Sequence, residues 1–141
     1  MDNDNSCCNF EKDTSNIING KILACSNNYF RKEIWTGNFA QITLMSIPAG
    51  GEIGLEIHHD LDQIFMIEYG VATVYTGKTK NSVVLKGCAN NECIVVIPAG
   101  TFHNLINEQN VPLKLLSIYA PPNHPIGTIH KTKFESDLEE Y

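Results

Sequence analysis

The chain has 141 residues, of which 43% are hydrophobic and 18% charged, and it carries a formal net charge of −6. That length suits one domain around one sizeable core, and no apolar run approaches the ~18 residues that a membrane crossing needs. Lys78, Lys80 and Lys86 are spread between neutral residues, so no basic stripe marks a nucleic-acid surface, and the expected ligand is a small molecule.

Residues 1–20 are rich in Asn, Asp and Ser and poor in aromatics, a composition too polar to offset chain entropy by burial. They are expected to form a flexible N-terminal arm, followed by one domain over residues 21–134 and a short acidic tail over 135–141. The polar, acidic start Met1–Asn9 has neither the basic nor the apolar region of a secretory signal, so no export is indicated and a cytoplasmic location is expected. Cys7, Cys8, Cys25, Cys88 and Cys93 make an odd set without a Cys-x-x-Cys pair, and they read as reduced thiols. Cys88 and Cys93 lack the second pair that a tetrahedral zinc site requires.

From Lys21 onward, short runs of β-branched and aromatic residues alternate with Gly, Pro and Asn. Strands are predicted over 39–47, 54–58, 63–69, 72–75, 82–86, 92–97, 103–107 and 113–119. This is the pattern of an all-β sandwich or barrel. No stretch keeps an apolar spacing of three and four over ten residues, so helix is expected only as a short surface piece in the tail around Glu135–Tyr141. Trp35, Phe65, Ile67 and Val74 read as core. The tetrapeptides Ile47-Pro-Ala-Gly50 and Ile97-Pro-Ala-Gly100 echo one another, each preceding a strand that bears candidate ligands.

Glu56 and His58 lie two apart in a predicted strand, so alternation puts both side chains on one face and His59 on the other. Gln63 opens the next run after the turn Asp60-Leu61-Asp62, where both acids suit Asx-type turn hydrogen bonds, and an antiparallel return brings its amide beside that pair. His103, after the turn shaped by Pro98 and Gly100, crosses opposite and supplies a fourth potential ligand. An oxygen and nitrogen set of this kind suits one divalent transition metal, namely Zn, Mn, Fe or Ni. Tyr75 and Tyr119 are candidate general acids or bases lining the barrel. His124 and His130, in and after a Pro-rich loop, read as solvated residues, and Gly70, Gly100 and Asn107 as structural ones.

These residues fall on two motifs that resemble those of the cupin superfamily. The first, Gly-x5-His-x-His-x3–4-Glu-x6-Gly, is matched by Gly50, Glu56, His58, Gln63 and Gly70; the second, Gly-x5-Pro-x-Gly-x2-His-x3-Asn, by Glu92, Pro98, Gly100, His103 and Asn107. The second motif loses only its leading Gly, to Glu92, whereas the departures in the first fall on ligand positions: the first His has become Glu56 and the usual Glu has become Gln63, so one carboxylate is kept while its place moves.

The resemblance implies a double-stranded β-helix of jelly-roll type, a metal inside one open end, and a homodimer; the Asn-rich arm together with Lys21–Trp35 is expected to add a strand to the neighbour's sheet. It implies a metal-dependent enzyme acting on a small polar metabolite, with a sugar or sugar-phosphate isomerase-like activity preferred because the ligand inventory resembles that of phosphomannose isomerases. Arg31, the sole Arg, marks no phosphate site, which favours an unphosphorylated substrate. A mononuclear non-haem iron dioxygenase and a non-catalytic small-molecule binding cupin are the alternatives.

Overall fold

The computed structural model describes residues 10–139. In chain order they form α1 (Gly20–Ser26), β1 (Arg31–Thr36), β2 (Gln41–Ile47), β3 (Asp62–Tyr69), β4 (Ala72–Gly77), a 3₁₀ turn (Lys80–Ser82), β5 (Val84–Ala89), β6 (Ile94–Ile97), β7 (Phe102–Ile106), β8 (Leu113–Ala120), β9 (Ile129–His130) and α2 (Lys133–Leu138). The strands make a six-stranded sheet, β6-β3-β8-β2-β1-β9, and a three-stranded sheet, β5-β4-β7. All of their pairings are antiparallel. This is the expected all-β double-stranded β-helix.

The main core lies between the sheets, where Met45, Ile47, Phe65, Ile67, Leu115, Val74 and Leu105 pack together. A second cluster, Ala24, Ile34, Leu44 and Leu116, covers the outer face of the large sheet under α1. Both faces of β2 and β8 are therefore buried over part of their length, which explains why Leu113–Leu116 and Thr43–Met45 read as continuous buried runs instead of alternating. Burying each such apolar side chain contributes on the order of 2 kcal/mol.

α1 was not expected from the sequence. Its seven residues are too few for a periodic signal and too few to be stable alone. Two local features hold it: the Asn19 side chain caps the start by accepting from the Ile22 N–H at 3.0 Å, and the fully buried Ala24 anchors it to the sheet.

The part of the expected arm in residues 1–9 lies outside the described residues. Phe10 and Ile18, from the remainder, pack against the second cluster, and the Phe10 N–H donates to the Ile34 carbonyl. Lys21–Trp35, read as a strand for a neighbour's sheet, instead supplies α1 and β1 to the chain's own fold. Trp35 is half-buried, not core.

The run 54–58 is not a strand. The segment 52–56 instead hangs on β7 through two isolated bridges, Glu52 to Ile106 and Glu56 to His103, so four steps on one side oppose three on the other. The surplus residue is absorbed at Gly54, whose φ of 103° suits only glycine comfortably. Gly50 and Gly100, which end the two echoing tetrapeptides, also have positive φ, 76° and 81°, so the sequence echo is an echo of turn geometry.

Candidate metal centre

The bridge between Glu56 and His103 exchanges both backbone hydrogen bonds, at 3.0 and 2.9 Å, and sets the two side chains against one another. His103 Nε2 lies 3.1 Å from Glu56 Oε1 and 3.0 Å from Gln63 Oε1. His58 Nε2 stands 3.5 Å from the same Glu56 oxygen. One ligand atom from each of Glu56, His58 and His103 lies within 4.8 Å of the others, so the geometry brings these three sequence candidates together. Gln63 joins them from β3, although the run carrying Glu56 and His58 is irregular.

The outer hydrogen bonds fix which atoms face the centre. A carbonyl oxygen only accepts, so His103 Nδ1, 3.0 Å from the Thr101 carbonyl, carries a hydrogen, and in the neutral ring Nε2 then presents its lone pair. The Gln63 amide nitrogen donates to Ser117 Oγ at 2.9 Å, which turns Oε1 inward. Three lone-pair atoms, from His103, Gln63 and Glu56, thus confront one another. His58 Nε2 is buried and has no hydrogen-bond partner among the described residues.

Burial pushes the Glu56 carboxyl upward in pKa, but without a metal the hydrogen bond that a protonated His103 donates and the nearby charge of a protonated His58 outweigh it, bringing the value down to about 2. The carboxylate is ionised at neutral pH. An anion and neutral nitrogen and oxygen donors in a buried cluster have the composition of a site for a borderline divalent cation. The residues fit the metal that the motifs imply.

The remaining candidates divide. His59 is exposed and is not among the residues that the geometry brings together at the centre. Tyr75 pairs with Asn104 on β7, whereas Thr76 pairs with His103, so Tyr75 lies on the face opposite the centre and is withdrawn as a candidate acid or base. Tyr119 is 1% exposed, with its ring 6.1 Å from that of His58 and its hydroxyl 3.3 Å from His124 Nε2. Asp62 makes no local Asx turn; its Oδ1 accepts from the Ala99 N–H, tying β3 to the second motif's turn.

His124 and His130, expected to be solvated, are buried at 9% and 1% exposure. Gln41, fully buried on β2, accepts from the backbone N–H groups of Asn123 and His124 and donates to the His124 carbonyl, clamping this loop over the barrel mouth. A polar residue at a buried strand position was the available signal. Burial, and then the positive charge of Arg31, lower the His124 pKa to about 3, so its ring is neutral.

A cavity of about 590 Å³ opens beside the cluster; Glu56, His58, Arg31 and His124 contribute to its wall, and α2 supplies Lys133 and Ser136. Glu56 and His58 therefore face the cavity while the buried Gln63 and His103 stand behind them.

No family model matches the chain. It is 48% identical to the uncharacterized protein YrkC of Bacillus subtilis (strain 168), over 88% of this chain and 67% of YrkC. It is 40% identical to the uncharacterized protein L612 of Acanthamoeba polyphaga mimivirus, over 80% of this chain and 69% of L612. Among solved structures, BH2720 of Bacillus halodurans superposes with a TM-score of 0.88 at 42% identity, covering 90% of this chain and 96% of that one. At 19% identity, a double-stranded β-helix protein of Klebsiella pneumoniae shares the fold with a TM-score of 0.64, over 88% of this chain and 99% of that chain. The Cnp3 cupin domain of Schizosaccharomyces pombe does so at 16% identity and a TM-score of 0.59, over 70% of this chain and 67% of that one. The chain therefore belongs to one family with YrkC and BH2720, and it has the double-stranded β-helix fold of the Cnp3 cupin domain, with both cupin-like motifs in register.

Proposed function

We propose that the protein is a metal-dependent cupin enzyme acting on a small, polar, unphosphorylated metabolite, with a sugar-isomerase-like reaction preferred. The observation that carries the reading is the convergence of Glu56, His58, Gln63 and His103 at the wall of a cavity large enough for such a molecule. These four residues would hold one divalent metal, Zn, Mn, Fe or Ni, which supplies Lewis-acid polarisation of a substrate carbonyl or hydroxyl oxygen.

The chain's own groups support the proton steps. His124 lines the cavity with its Nε2 3.3 Å from the Tyr119 hydroxyl, so the pair is placed to carry the carbon-bound proton from a hydroxyl-bearing carbon to the neighbouring carbonyl carbon while the hydroxyl proton passes to the former carbonyl oxygen. The Gln41 clamp keeps His124 in place for that transfer. Deuterium incorporation from solvent during incubation of the metal-loaded protein with aldoses and ketoses tests the reading; binding of these sugars without exchange or isomerisation contradicts it and points to a non-catalytic binding cupin.

A mononuclear non-haem iron dioxygenase remains the second reading. Glu56, His58 and His103 have the two-His, one-carboxylate content of such sites, with Gln63 as a weaker fourth donor. Oxygen consumption by iron-reconstituted protein, absent with zinc, separates the two.

We also infer a cytoplasmic homodimer. The described cysteines Cys25, Cys88 and Cys93 are free thiols, in keeping with a reducing compartment. The edge strand β6 exposes Ile94 and Val96, an apolar edge of the kind that a second subunit covers. Sedimentation equilibrium checks the assembly.

A further inference from the structure

Arg31 is the sole arginine of the chain, it stands on β1, and it is 4% exposed in the wall of the cavity that reaches Glu56 and His58. A buried guanidinium ordinarily has a carboxylate beside it, because an isolated charge is costly to desolvate. Among the described residues Arg31 makes no ion pair. Its Nη1 donates to Ser136 Oγ at 2.6 Å and to His130 Nδ1 at 3.0 Å, both neutral acceptors, and its Nε has no partner.

The acceptor role of His130 Nδ1 places the ring hydrogen on Nε2, which donates to Glu139 Oε2 at 2.6 Å. Glu139 thus orients the imidazole that orients the guanidinium. The other cation on the cavity wall, Lys133, is already paired with Asp137 at 2.7 Å. The cavity therefore offers one guanidinium with no carboxylate bonded to it, held from behind by His130 and Ser136 and lying 5.2 Å from the centre of the Phe30 ring.

We propose that Arg31 binds the carboxylate of the ligand, so that the substrate class is a small hydroxy- or oxo-carboxylate whose oxygen-bearing carbons reach toward Glu56 and His58. A planar monoanion matches one guanidinium in both geometry and charge. A phosphate dianion would meet Glu56 and Glu139 with one cation to balance it, so the carboxylate is the better fit. This substrate class rests on the metal-centred reading of the site, whereas the anion contact itself does not.

Because the chain has one arginine, its side-chain Nε–H gives one arginine signal in a nitrogen-15 NMR spectrum, assigned by composition. That signal is followed while glycolate, its neutral counterpart glycolamide, inorganic phosphate or sodium chloride is added, on metal-free and on zinc-loaded protein. Glycolate is expected to shift it saturably in both, with glycolamide at least about tenfold weaker, as a charge-assisted contact requires.

No saturable response to glycolate, or an equal response to glycolamide, overturns the proposal, and a stronger response to phosphate overturns the choice of carboxylate. Zinc that fails to bind while glycolate still shifts the signal removes the metal-centred reading and leaves the anion contact standing. Arg31→Lys should keep the preference for glycolate in weakened form and Arg31→Gln should lose it, read by calorimetry on protein with an unchanged circular dichroism spectrum. Retained preference in Arg31→Gln also overturns the proposal.

Discussion

His103 Nε2 and Gln63 Oε1 face each other at 3.0 Å, although the outer hydrogen bonds of each leave both as lone-pair atoms in their neutral forms. Either Nε2 takes up a second proton, which Gln63 and Glu56 accept together, or a cation sits among them. The second state uses the whole arrangement. Ser117 and Thr101, which never touch the centre, then act by aiming its donors.

Ser117→Ala removes the hydroxyl that accepts from the Gln63 amide, so the amide is free to rotate and present nitrogen to the centre. Metal affinity, measured by competition with a chromogenic chelator, should fall by about 10- to 100-fold. Gln63→Glu should bind metal at least as tightly as wild type, since it adds a second carboxylate. Loss of binding in Gln63→Glu would show that the side chain does not face the metal.

The His124 pKa is lowered from 6.5 to about 3 in the fold, first by burial and then by the Arg31 charge. The unfolded chain therefore binds a proton that the folded chain refuses across this interval. The associated stability is fully present above pH 6.5 and is lost as pH falls toward 3. From pH 7 to pH 5 this group alone should lower the unfolding free energy by about 2 kcal/mol. Urea unfolding of wild type and His124→Gln at the two pH values checks it: the loss should be smaller in the variant by that amount, and equal losses would contradict the burial argument. Glu56, lowered from 4.5 to about 2, titrates below pH 5 and so outside the pH 7 to 5 comparison, and its stabilisation is lost as pH falls through that lower range.

Asn107 is fully buried, and its amide nitrogen donates to the carbonyls of Ile47, Pro48 and Val111 at 3.1, 3.1 and 2.8 Å. It ties the turn of the first motif to the end of the second. Asn107→Ala strands these carbonyls and should destabilise the protein by about 2–4 kcal/mol. A change under about 0.5 kcal/mol in chemical denaturation would mean that water replaces the amide without loss.

The strands β2 to β8 and the four candidate ligands were legible in the sequence because period-two runs and motif spacing are local properties. Asn107 was legible as structural for the same reason. What escaped depends on pairing across the whole chain. Arg31 and His130 are register partners on β1 and β9, 99 residues apart, so nothing local reveals that the last segment returns to the first strand and buries two histidines and the sole arginine. The irregular run 54–58 escaped because a bridge with one surplus residue looks like a strand until its partner is known. Tyr75 was misplaced by one register step, which in a β-strand is a change of face.

The measurement that bears most directly on the central claim is elemental analysis of the protein purified without added metal or a histidine tag, beside Glu56→Ala, His103→Ala and His59→Ala. The account predicts about one transition metal per chain in wild type and in His59→Ala, and none in the other two variants. A folded wild-type barrel that takes up no metal even after reconstitution, or stoichiometric metal retained in both ligand variants, would contradict it.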